Sequence, residues 1–318
     1  MNPGKSEWSF SGRGYSRREF LNLGIGCTAG LLGLSAFGSN WLFAQEETPS
    51  LVDLAVAVNG SAKELIRSVI ASLGGMNRFV SKGDIVVVKP NIAWDRSPEQ
   101  AANTNPEVVA EVIRLCFEAG AKKVKLFDRP CNKPSRTYRN SGIKEAAEKV
   151  GAEVSYTSSP GFVKVDMPEN KILRSWELYK PALDCDCLIN VPIAKQHATS
   201  ELTLGMKNLM GIMGGDRGQI HWRIHEYLPE LAHFVRPKLT IIDAVRILVA
   251  NGPQGGNLKD VRKINTVIAS SHIASADAYA ATLFGKNPSD LGFITYGHKL
   301  GLGEIDLEKL NLARIDLS

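Results

Sequence analysis

Short apolar runs alternating with helical stretches constrain this chain more than any other feature. Residues 85–88, 187–191 and 239–243 are apolar segments of strand length, and helix-forming stretches lie between such segments. Runs of this kind belong to strands buried on both faces, the condition of a parallel sheet with helices on either side. The same alternation fills the rest. Residues 51–58 read as a strand, and Ser61 caps a helix reaching Leu73. Thr104 with Glu107 reads as a capping box, with Pro106 in the first turn of a helix that runs to Glu118 and stops at Gly120. Residues 123–128 and 153–157 read as strands, 143–150 as a helix, 201–234 as a helical stretch, 266–269 as a strand and 274–284 as a helix. The polar segment 129–142, with Pro130, Pro134 and Gly142, reads as a mobile loop. The predicted class is α/β: a mainly parallel sheet with helices on both faces, open or divided into two lobes around a cleft.

Residues 1–44 read as an address. Ser16-Arg17-Arg18-Glu19-Phe20-Leu21 is a twin-arginine pattern, followed by a moderately apolar, glycine-rich run to Phe43 and then Ala44. A charged head, an apolar middle and a small residue at the exit make a signal peptide. The twin-arginine (Tat) translocase is therefore an expected partner during export, and the expected location is periplasmic or otherwise exported. No later run reaches the roughly 20 apolar residues of a membrane span, so membrane contact is expected only through an uncleaved signal peptide. Residues 45–318 form the expected α/β domain. The formal net charge of +5 is too weak to point to nucleic acid, and no nucleic-acid partner is expected.

In open parallel sheets, ligands bind beyond the carboxyl ends of the strands. Those ends carry Lys89-Pro90-Asn91, Asp128-Arg129-Pro130, Lys195 with His197, and Asp243. The segment 195–225 is the densest in polar groups, with Lys207-Asn208, Gly211 and Gly214-Gly215-Asp216-Arg217-Gly218. Lys207, Asn208 and Arg217 supply donors for an anionic group, and the glycines let backbone amides approach it. A tight turn with solvated cations is the plainer reading of the same glycines. The segment is neither a Walker loop nor a dinucleotide fingerprint.

His221 and His225 stand four residues apart on an expected helix, which is metal-ligand spacing, although histidines also pack and face solvent without metal. Together with Asp243 they are the candidate ligands of a divalent metal. Cys185 and Cys187 alternate onto one strand face and read as buried thiols, as does Cys116 in its helix. No cysteine run has cluster-binding spacing, and no iron–sulfur cluster is expected within this chain.

The set Lys89-Pro90-Asn91, Thr104 with Pro106, Asp128, Lys195-x-His197, Lys207-Asn208-x-x-Gly211 and Asn251-Gly252-Pro253-x-x-Gly255 resembles domain-of-unknown-function family 362. Ala276-Asp277-Ala278, Gly285-x-x-Pro288 and Gly301-Leu302-Gly303 extend the resemblance, which covers about residues 52–316. Some relatives add a ferredoxin-like module with cluster-binding cysteines, which is not expected in this chain. The family implies no settled activity, and Thr104 enters the candidate ligand set through it. A shorter run, Asp186-x-x-Ile189-x-x-Pro192, His197, a glycine-rich segment and a further histidine, resembles the central motif of nickel-pincer lactate racemase. That resemblance implies an α/β enzyme holding a cofactor between two lobes; the DHTRP stretch of that family is absent here.

Two functions follow as expectations. One is an exported enzyme acting on a small anionic substrate, metal-assisted or not. Lys89, Asn91, Thr104, Lys207, Asn208 and Arg217 would bind the ligand, and His197, Lys195 and Asp128 would act in catalysis. His197 is the expected general acid/base, because an imidazole ordinarily titrates near working pH. Asp128, Asp243 and Asn91 would orient it or offer oxygen ligands to a divalent cation. The other is a non-catalytic binding or maturation protein for a periplasmic redox or metal complex.

Overall fold

The computed structural model describes residues 52–318, so the twin-arginine segment and Leu51 lie outside the described residues. The strands are β1 (Leu54–Val58), β2 (Ile85–Pro90), β3 (Lys123–Leu126), β4 (Glu153–Val154), β5 (Phe162–Asp166), β6 (Ser175–Tyr179), β7 (Cys187–Val191), β8 (Ile193–His197), β9 (Glu201–Thr203), β10 (Leu239–Leu248), β11 (Val261–Ser270) and β12 (Leu312–Asp316). The helices are α1 (Ala62–Ser72), α2 (Pro106–Glu118), α3 (Pro134–Asn140), α4 (Ile143–Lys149), α5 (Lys180–Leu183), α6 (Gly205–Asn208), α7 (Ile224–Val235), α8 (Ile273–Thr282) and α9 (Gly292–Lys299).

The main sheet runs β12-β1-β11-β10-β7-β2-β3-β4, with β8 and β9 continuing from β10. Its centre, β10-β7-β2-β3-β4, is parallel throughout, while β11 runs antiparallel to both β1 and β10. Pro192 separates β7 from β8, and β10 pairs with both in turn, Leu239 opposite Ile189 and Asp243 opposite Ile193. The fold is therefore the α/β arrangement expected, built on a single large sheet.

Helices cover both faces, and strand alternation assigns them. Val86 and Val88 pack with Leu65 of α1, Ile113 of α2 and Ile143 of α4. Val87 points the other way, into the cluster holding Leu231 of α7, Ala278 of α8 and Phe293 of α9. The alternation carries on into polar residues: Lys89 follows Val87, whereas Asp243 follows Leu239 and Ile241 on the face of α2.

Three local expectations need correction. The start of the 201–234 stretch is strand β9, whose Glu201–Thr203 pair with His197–Lys195; helix begins only at Gly205. The 129–142 segment holds α3, opened by Pro134 at its first turn. Thr104 is not the cap of α2. Asn105 is, its side chain accepting from the Glu107 amide at 3.0 Å. The β5–β6 hairpin was not expected at all; Tyr179 anchors it edge-on against Phe127, ring centroids 4.7 Å apart.

Candidate functional site

The ends of β2 and β3 meet in a buried ion pair. Lys89 Nζ lies 2.8 Å from Asp128 Oδ1, and neither side chain reaches solvent appreciably. The ammonium also donates to Pro90 O at 2.7 Å and to Asn208 Oδ1 at 3.2 Å. Burial lowers the Lys89 pKa, and the Asp128 carboxylate offsets this. Asp128 further accepts from the Ile92 amide at 2.6 Å and the Arg129 amide at 3.0 Å. Tyr138 of α3 fixes the Asp128 backbone, accepting from its amide at 2.7 Å and donating to its carbonyl at 2.8 Å. Both carboxylate oxygens of Asp128 are thus engaged in clamping these strand ends together. Gly211 closes the pair from the far side. A Cβ there would stand 1.8 Å from Asp128 Oδ1, so only glycine fits.

Two asparagines connect this pair to a second buried lysine. Asn208 Oδ1 accepts from Asn91 Nδ2 at 3.0 Å, and Asn91 Oδ1 accepts from Lys195 Nζ at 3.2 Å. Asn208 Nδ2 donates to Asn190 Oδ1 at 2.9 Å and to Lys89 O at 3.2 Å. Lys195 also donates to Ala102 O at 2.5 Å. It has no carboxylate partner among the described residues, and burial, the largest cause, with the nearby Lys207 and Lys89 pushes it down to about 7. Lys89, Asn91, Lys195 and Asn208 therefore form one buried, hydrogen-bonded layer.

Above that layer stand Lys207, Arg217, His197, His221 and Cys131. Lys207 is half-buried, and the only hydrogen-bond partner of its ammonium among the described residues is the Met210 sulfur at 3.1 Å. Burial and the Arg217 guanidinium bring it down to about 8. Arg217 reaches Met210 O and Pro130 O at 3.3 Å each and the exposed Cys131 sulfur at 3.5 Å. The His197 and His221 rings stack with centroids 5.6 Å apart. His197 Nδ1 accepts from the amides of Thr199 at 3.1 Å and Ser200 at 3.2 Å, which leaves Nε2 carrying the proton. Burial first, then Lys207, His221 and Lys195, push His197 down to about 3. At neutral pH it is an uncharged N–H donor. The near-neutral titration expected of it belongs to Lys195 instead.

Residues 86–282 match the family described as Domain of unknown function (DUF362). The chain belongs to that family. The DUF362 match contains every candidate residue from Lys89 to Asp277. A thylakoid-associated protein of Synechocystis sp. is 31% identical over 252 residues, covering 76% of each chain. Among solved structures, lactate racemase apoprotein from Thermoanaerobacterium thermosaccharolyticum superposes with a TM-score of 0.48 at 13% identity, over 72% of this chain and 56% of that one. A Thermotoga maritima protein gives a TM-score of 0.40 at 13% identity, over 71% of this chain and 58% of that one. The chain thus spans little more than half the length of either structure.

The DUF362 domain does not bring all the expected residues together. Asp243 lies on the opposite face of the sheet, where its carboxylate accepts from the amides of Asn105 at 2.7 Å and Val245 at 3.0 Å. It holds the entry to α2, and burial lifts it to about 6. Thr104 is spent on the backbone as well, accepting from the Asn91 amide and donating to Val191 O, each at 2.8 Å. The expected metal ligands part company. His221 stacks on His197, whereas His225 stacks on Phe293 with centroids 6.4 Å apart. Among the described residues, no three histidine, cysteine or acidic side chains gather at metal-binding range. Two further residues adjoin these groups: Cys131, whose sulfur lies 3.5 Å from Arg217, and Asp277, which holds the amides of Gly205 and Met206. The place of Cys131 in the polar segment after Asp128 is the sequence signal it carries; its exposure shows only in the fold.

Proposed function

We propose that this protein binds a small anionic ligand between Lys207 and Arg217, with the N–H of neutral His197 and the thiol of Cys131 beside it. One observation carries the reading: a cluster of cations without matching carboxylates. Asp128 is committed to Lys89, and among the described residues no ion pair reaches Lys195, Lys207 or Arg217. Half-buried cations repel one another unless an anion intervenes, and Lys207 is lowered by burial first and then by the Arg217 guanidinium. Lys195, near 7, is the group able to exchange a proton at working pH, which is what an enzyme acting on the bound anion needs. That Asn91, Asn208 and Asp128 spend their hydrogen bonds within the protein favours the second reading, a protein that holds the anion, or a metal complex carrying it, without chemistry.

The twin-arginine segment adds export to the proposal, and the acting form is the exported α/β domain. No helix among the described residues is long and apolar enough to cross a membrane. The test is calorimetric titration with inorganic sulfate of the protein and of Lys207→Gln. Loss of a charge-assisted hydrogen bond is worth about 1.5–3 kcal/mol, so the variant should bind roughly ten- to a hundredfold more weakly. Equal affinity in both would refute the assignment of Lys207.

A further inference from the structure

Asp277 is fully buried in α8, and no cation faces it among the described residues. Its two oxygens accept from consecutive amides at the start of α6, Oδ1 from Gly205 N at 2.6 Å and Oδ2 from Met206 N at 3.0 Å. The next two residues of that turn are Lys207 and Asn208. Gly205 is gripped from its other end too: its carbonyl accepts from Asn190 Nδ2 at 2.9 Å, and Asn190 Oδ1 accepts from Asn208 Nδ2 at 2.9 Å. There is no slack around this point. A Cβ on Gly205 would stand 2.7 Å from Asp277 Oδ1, 2.9 Å from Ile273 and 3.0 Å from Thr240.

We infer that Asp277 is a positioning residue, which never touches the ligand but fixes the rotation of the α6 turn and so aims Lys207 into the anion site. This inference rests on the anion-binding reading. Its physical basis is the number of acceptors. Two parallel N–H groups converge on one side chain, and only a carboxylate offers each an oxygen. An asparagine there supplies one oxygen and turns its NH₂ toward the other amide. An unaccompanied buried carboxylate is costly, so its place in an alanine-rich helix calls for a function that the amides alone explain. Burial lifts Asp277 to about 7 against the pull of those two amide bonds, so above that pH both oxygens are acceptors.

The grip and the ligand must then be coupled in both directions, because linkage is reciprocal. Two measurements test this on the full chain, with inorganic sulfate as the probe, above the Asp277 titration. In Asp277→Asn, sulfate affinity should fall about tenfold or more relative to the parent, the coupling of a lost positioning contact. In the unaltered protein, saturating sulfate should slow amide hydrogen exchange over residues 203–210. Sulfate affinity equal to the parent's in Asp277→Asn, whatever its melting temperature, would overturn the inference and leave the anion site standing. If that variant does not fold, unchanged exchange over 203–210 in the sulfate-bound parent would overturn it. Failure of the parent to bind sulfate at all would overturn the anion-binding reading and this inference with it.

Discussion

Lys89 Nζ and Asp128 Oδ1 lie 2.8 Å apart at the ends of adjacent parallel strands, both out of reach of water. Removing one member of such a pair leaves the other charge buried alone, at a cost of about 3–5 kcal/mol. Asp128→Asn should therefore lower unfolding stability by that amount in urea titration. Adding Lys89→Met to it should recover much of the loss. A loss below about 1 kcal/mol in the single variant would contradict the pair's structural role.

Sulfate affinity should depend on pH in one direction. Lys207 sits at about 8 and Lys195 at about 7 in the unliganded protein, both depressed below the ordinary ammonium value. A bound dianion favours the charged amines, so binding raises both pKa values and takes up protons. Affinity is then highest below about 7 and falls above 8, tending to tenfold per pH unit for each proton taken up. Calorimetry in buffers of different ionisation heat reads the proton uptake directly. An affinity that is level or rises with pH would contradict the placement of Lys207 at the ligand and of Lys195 close below it.

Cys131 should be the thiol that reports on the site. It is exposed beside Arg217, whereas Cys116 and Cys187 are buried, and burial pushes Cys187 up to about 12. Iodoacetamide should label Cys131 far faster than those two in the folded protein, since of the three it alone is open to the reagent. Sulfate held at Arg217 should slow the labelling several-fold by obstructing the neighbouring sulfur. Peptide mass mapping decides the matter, and a rate at Cys131 independent of sulfate would place the anion elsewhere.

Export is testable without any ligand. Replacing Arg17 and Arg18 together by lysine should leave precursor in the cytoplasm, because the translocase reads the arginine pair. Cell fractionation with an antibody to the domain measures this. Undiminished mature protein outside the cytoplasm would refute twin-arginine export.

What the sequence made legible follows the range of the interactions. The parallel core was readable because apolar runs such as 85–88 and 239–243 report burial locally. So was the convergence of Lys89, Asn91, Asp128 and Lys195, since it follows from where parallel strands end. Asp243 was expected at a strand end, but β10 runs on to Leu248, and the Asp243 side chain alternates onto the α2 face; one residue of register decides that. Thr104 and Glu107 have capping-box spacing. The Thr104 hydroxyl is instead held by Asn91 and Val191, and no local pattern shows that competition. Asp277 serves α6 from 72 residues away. His197 was identified as a candidate site residue, yet its proton affinity is set by burial first and then by Lys207 and His221, all of which only the fold supplies.

The most direct measurement is the location of the anion. Crystals of the protein grown with selenate, a close analogue of sulfate, give an anomalous difference map in which selenium marks the anion's position. The account predicts a peak within hydrogen-bonding distance of both Lys207 Nζ and the Arg217 guanidinium, on the side of His197 Nε2. A map in which selenate occupies other sites while Lys207 keeps only the Met210 sulfur for company would contradict it.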